Sequence, residues 1–185
     1  MRQDTEQRSS SHEKANPSPL VRVKIRRDVK VQTHRFNDFF KEFDEIEAVK
    51  RIFGEESKKI LDELRVEFVS RRGYMGVSDV DGHIIISAQY LKNGELRDIY
   101  LDIIHELVHV KQFREGRQLF DRRYGYTDRP TEIEAYSHAV EEARNLGMTD
   151  EEISQYLKTE WMTEENHRKL AETLNVKVSM EKHPS

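Results

Sequence analysis

The segment from Glu95 to about Arg114 constrains this chain more than any other. Ile99, Tyr100, Ile103, Ile104, Leu107, Val108 and Val110 recur there at helical spacing, with Asn93-Gly94 breaking the pattern ahead and Gly116 behind. The spacing predicts one long amphipathic helix, and whatever else folds must cover its broad apolar face. Three short apolar runs supply a cover: Val66 to Val69, Tyr74 to Val77 and His83 to Ser87, the last two joined by the turn pair Asp81-Gly82. Leu20 to Ile25 alternates apolar and charged residues and predicts a further half-buried strand. Helical patterns fill the remainder. One runs from Asn37 or Asp38 to Phe53, stopped by Gly54, and a shorter one covers Glu55 to Leu64. Another runs from an N-cap at Thr131 to Gly147, and two final helices are capped at Thr149-Asp150 and Thr163. The expected class is α+β: a small antiparallel or mixed sheet packed against the long helix and the helix after it, with further helices at both ends.

A chain of 185 residues suits one domain. Residues 1–19, rich in Gln, Ser, Arg and Glu and ending in Asn-Pro-Ser-Pro, are expected to form a flexible tail. Residues 20–178 then make the domain, with a core over 65–147 and helices over 149–175, and 179–185 fray. Basic and acidic residues, 31 against 35, nearly cancel and are interspersed, which argues against nucleic acid or an anionic membrane as principal partner. No stretch approaches a membrane span and the N-terminus carries no apolar signal region, so a cytoplasmic protein is expected. The chain has no cysteine, which excludes disulfides, thiol nucleophiles and thiolate metal sites, and any metal must sit on His and carboxylate.

Within the long helix stands His105-Glu106-Leu107-Val108-His109, an H-E-x-x-H pattern. At about 100° per residue, positions i and i+4 lie only about 40° apart, so both imidazoles leave one side of the helix and can share a metal. The apolar residues fall on the other side. Glu106 stands beside the pair, able to reach a water there without being a ligand. A third ligand is needed. A His six residues beyond His109 would mark a metzincin, but Glu115 occupies that position. Pro130-Thr-Glu-Ile-Glu-Ala-Tyr136 offers two carboxylates, Glu132 and Glu134, at a helix start. The remaining histidines read as ordinary: His12 and His183 in the tails, His34 and His167 in polar contexts, His83 at a turn exit and His138 on the outer face of its helix. Tyr124 and Tyr126 lie between the two ligand-bearing helices and read as packing residues.

Over residues 65–147 the sequence resembles the gluzincin metallopeptidases, which include thermolysin and the catalytic core of membrane CAAX-type proteases. Its compactness resembles their minimal soluble members, the minigluzincins. In that family a glutamate three residues before a small residue completes the site, which implies Glu132 before Ala135. Tyr136 stands where many relatives carry Asp. The resemblance also implies an extended substrate paired with the sheet edge around Met75 and Gly76, and latency through a terminal segment.

The helical wheel selects the same glutamate. Glu132 and Glu134 differ by about 200°. Ile133, Ala135, Tyr136, Ala139, Val140, Ala143 and Leu146 centre on Glu132, whereas Glu134 points away among Ser137, His138, Glu141 and Asn145. A carboxylate in the middle of a buried face is costly unless it is paired or holds a metal. Two imidazoles and one carboxylate form the open three-ligand set of hydrolytic zinc, so one Zn2+ per chain is expected, with Glu106 as general base. The expected function is peptide-bond hydrolysis, acting on a peptide or unfolded protein. The competing reading is a catalytically idle metal-binding or protein-interaction module.

Overall fold

The structure is a computed structural model that describes residues 17–73 and 75–178. Tyr74, His12, His183 and the expected flexible and frayed ends beyond these limits lie outside the described residues. The chain opens with α1 (Pro19–Arg22), β1 (Lys24–Ile25), β2 (Thr33–Arg35), β3 (Phe40–Lys41), α2 (Glu47–Phe53) and α3 (Ser57–Glu63). Then follow β4 (Arg65–Val69), β5 (Met75–Val77), β6 (Ile84–Ser87), α4 (Ala88–Asn93) and the long α5 (Leu96–Arg114). The helices α6 (Pro130–Asn145), α7 (Asp150–Leu157) and α8 (Glu164–Thr173) complete it. The fold is α+β, as expected.

The main sheet has the strand order β2-β4-β6-β5 and is mixed. β5 runs antiparallel to β6, with Met75 opposite Ile86 and Val77 opposite Ile84, as the Asp81-Gly82 turn predicts. Gly82 takes φ 75°, the left-handed region, and a Cβ there would collide with the Phe113 ring. β4 and β6 pair in parallel, which makes the sheet mixed, one of the two forms expected, and the pairing carries Val66 and Phe68 beside Ile84 and Ile86. These four side chains are all fully buried, and they form the face on which the helices pack.

The N-terminal expectations need correction. Leu20 to Arg22 belong to the short helix α1, not to a strand; Pro19 at its start has the fixed φ that opens a helix, and only Lys24–Ile25 pair, with β3. The stretch 37–53 is not one helix. Two 3₁₀ turns and β3 occupy its first half, Glu42 sits at φ 66°, and α2 begins only at Glu47. Bulky aromatics explain the break: Phe36, Phe40 and Phe43 pack on one another at 4.9 to 6.3 Å between rings, a cluster that a straight helix would string out along its face. β2 and α4 were not predicted. α6 begins at Pro130 with Arg129 in the cap position, so Thr131 lies one position inside.

α5 is the centre of the molecule. From Ile99 to Val110 every residue except Asp102 is buried, histidines and Glu106 included. The sheet and α2 lie on its apolar side and α6 runs against it. α7 and α8 contribute Ile153, Leu157, Leu170 and Ala171 to the same hydrophobic core, each fully buried. The C-terminal helices are thus part of the single core rather than an appendage.

Candidate metal centre

His105 and His109 leave α5 one turn apart and meet Glu132, which rises from the first turn of α6. The three are 6%, 6% and 4% exposed. Their ligand atoms converge: the two Nε2 atoms lie 3.0 Å apart, and Glu132 Oε2 lies 3.4 Å from each. Glu132 Oε2 and His105 Nδ1 are buried without a hydrogen-bond partner. An unpartnered buried carboxylate oxygen such as Glu132 Oε2 is rare in a folded interior and is expected where an ion completes it; His105 Nδ1, on the far side of its ring, is not accounted for by that ion. The group His105, His109 and Glu132 could hold a metal ion, and its donor set of two imidazoles and one carboxylate fits a divalent cation. Glu134 is not part of it. Its side chain points to Arg117, Lys111 and Gln112, as the helical wheel predicts.

Protons distribute within the cluster accordingly. Burial works to raise Glu132, but the two imidazoles outweigh it and hold the carboxyl well below its usual range. Burial likewise opposes a charge on His109, yet Glu132 and Glu106 outweigh it and raise the imidazole above its ordinary value. His105 goes the other way, lowered chiefly by burial. Glu106, buried beside them with Oε2 unpartnered, is pushed up to about 8, by burial first.

Two residues that sequence reasoning passed over support the cluster, and a third, Asp102, is held by two tyrosines instead. Gln112 is fully buried, and its Nε2 donates to the Thr131 carbonyl at 3.0 Å and to Glu134 Oε2 at 2.9 Å. With both N–H groups engaged, its Oε1 must be the atom facing His109, and it accepts from His109 Nδ1 at 2.8 Å. That bond places the His109 proton on Nδ1 and turns the lone pair of Nε2 to the centre. Gln112 thereby ties α5 to α6 as well. Arg129 holds the other oxygen of Glu132, Oε1, at 3.4 Å. Asp102, one turn before Glu106, accepts from the hydroxyls of Tyr90 at 2.5 Å and Tyr156 at 3.0 Å. The only sequence signal for Gln112 was its position, three residues after His109 on the face that carries both histidines.

Tyr136 does not act as a hydrogen-bonding partner of His105. Its ring packs on the imidazole at 4.3 Å, and its hydroxyl meets that of Tyr126 at 2.9 Å. Tyr126 in turn packs edge-on against Trp161 at 4.5 Å, so its packing role holds, while Tyr124 is largely exposed. Among the other histidines, His167 is buried rather than superficial and its Nε2 lies 2.8 Å from the Ser154 carbonyl. His34 packs against Phe39 and Phe68, His83 pairs with Asp81 and Glu67, and none of them joins the cluster.

A cleft of about 1390 Å³ opens on the cluster. His105, Glu106, Tyr126 and Tyr136 form its floor, Met75 of β5 stands at one side, and α7 and α8 form the far wall. Among the described residues no helix is long and apolar enough to cross a membrane. No protein-family model matches this chain, and no curated protein or solved structure matches it either.

Proposed function

We propose that the chain is a zinc-dependent peptidase of the gluzincin type, with His105, His109 and Glu132 holding the metal and Glu106 acting as general base. The observation that carries this reading is the pairing of a converging three-ligand cluster with a second buried carboxylate, Glu106, whose Oε2 is unpartnered and which lines the adjoining cleft. A site built only to hold a metal would have no use for that uncommitted carboxylate. Zinc, when bound by such a set, polarises a carbonyl and makes water acidic enough to yield a nucleophile near neutral pH. Glu106 takes the proton from the attacking water and returns it to the leaving amine. Gln112 and Arg129 keep His109 and Glu132 in register while this happens.

The cleft supports a polymeric substrate. Its volume exceeds the roughly 300–1,000 Å³ usual for small ligands, and Met75 of the edge strand β5 stands at its margin. β5 is the end strand of the sheet, and Ser78 N–H bonds to the His83 carbonyl, which fixes the alternation of the β5–β6 ladder. Gly76 therefore faces β6, and the N–H and C=O groups of Met75 and Val77 face the open edge. An extended peptide pairs there with Met75 and Val77, not with Gly76. Cleavage of a denatured protein that is abolished by a chelator and restored by zinc supports the reading; stoichiometric zinc with no chelator-sensitive cleavage would favour the idle module.

A further inference from the structure

Among the described residues, Asp102 is the half-buried carboxylate of the cleft that pairs with no lysine or arginine. It lines the same cleft as Glu106, one helical turn earlier on the same face of α5, and Asp98 lines it a turn earlier still. Of the three lysines and arginines that line the cleft, two are engaged with other acids, Arg97 at 2.9 Å from Glu152 and Lys158 at 2.7 Å from Glu164, and Arg168 lies exposed on α8. No lysine or arginine among the described residues forms an ion pair with Asp102, and only the two phenols hold it. Each of its oxygens has a further lone pair to offer. Burial pushes its carboxyl up to about 6, so at neutral pH it stays charged at a cost. A ligand cation would remove that cost. Glu106, whose Oε2 is buried and unpartnered, lines the same cleft.

Taking the peptidase reading as its basis, we propose that Asp102, with Asp98 behind it, is a specificity subsite that receives an ammonium or guanidinium group of the substrate next to the scissile bond. Tyr90 from α4 and Tyr156 from α7 orient the carboxylate, so three elements fix its position. The cation comes either from a lysine or arginine side chain or from the free N-terminus of the peptide. A purely structural role for the Asp102 network is the competing account, and it predicts loss of stability without loss of discrimination.

The test is equilibrium binding of labelled peptides to the full-length, zinc-loaded chain carrying Glu106→Gln, which prevents turnover. Three peptides suffice: an acetylated one with a central lysine, the same with norleucine, and the norleucine peptide with a free N-terminus. One of the two cationic peptides should bind about tenfold tighter than the neutral one, the scale of a single charge-assisted hydrogen bond. The lysine peptide winning assigns the subsite to a side chain, and the free-amine peptide winning assigns it to the N-terminus. Asp102→Asn should bring all three within about twofold while the bound zinc stays constant. As a check that needs no variant at this position, n-butylammonium ion should compete with the preferred cationic peptide and not with the neutral one. Equal binding of all three peptides, or a preference that survives Asp102→Asn, would overturn the proposal. If the preference holds and the wild-type chain cleaves none of the three, the peptidase reading fails and the cation subsite stands.

Discussion

Glu132 and Glu134 lie two residues apart in the first turns of α6 and have opposite surroundings. Glu132 is buried against two imidazoles and Arg129, whereas Glu134 makes its contacts at the surface with Arg117 and Lys111. Replacing Glu132 by Ala should abolish stoichiometric zinc binding, and Glu134→Ala should keep it; metal analysis of the two purified variants separates them. Gln112 makes a finer case. Its carbonyl oxygen fixes the tautomer of His109, so Gln112→Leu should weaken zinc binding by roughly 10- to 100-fold, the usual effect of losing such a support. Competition with a chelator of known affinity measures this, and an unchanged affinity would remove Gln112 from the centre. His105, Glu106, His109 and Glu132 were legible in the sequence because an i, i+4 pair and a helical wheel are local properties. Gln112 and Asp102 were not, since their partners Thr131 and Tyr156 lie on other elements, reached only once α5 is packed; the Arg129–Glu132 pair spans only three residues and was passed over although it is local.

At the scale of elements, the helices from α5 onward follow their sequence signals and the N-terminal third does not. Thr149 illustrates the first case. Its hydroxyl accepts from Glu152 N–H, and the Glu152 carboxylate accepts from the Thr149 N–H, a full capping box written in four consecutive residues. Thr149→Ala should cost about 1 kcal/mol in chemical denaturation without changing zinc content, because the box touches no ligand. The stretch from Phe36 to Phe53 illustrates the second. Its apolar residues recur at helical spacing, but Phe36, Phe40 and Phe43 gain more by closing on one another and on Tyr100 of α5 than by following one helix face. A non-local partner decided the outcome, as it did for the parallel pairing of β4 and β6.

The whole molecule is organised so that α5 carries the core on one side and the cleft on the other, with α7 and α8 serving both. Val178, the last described residue, lines the cleft beside them. Shortening the chain at Gly147 would therefore remove core as well as wall, and a test of latency belongs to truncations at Leu20 and after Val178. The buried donors couple metal to stability. The three ligands come together only where α5 and α6 are packed, so zinc, on the proposed reading, should raise the melting temperature, by the equivalent of about 2.7 kcal/mol at a hundredfold excess over Kd, and a chelator should reverse the gain. An unchanged melting temperature would deny a site formed by folding.

The central claim separates binding from chemistry within one motif, and one substitution divides them. Zinc per chain and chelator-sensitive cleavage of a denatured protein are measured side by side for the wild type and Glu106→Gln. The account predicts one zinc in both proteins, cleavage by the wild type and none by the variant. Loss of zinc from Glu106→Gln, or full activity in it, would contradict the account.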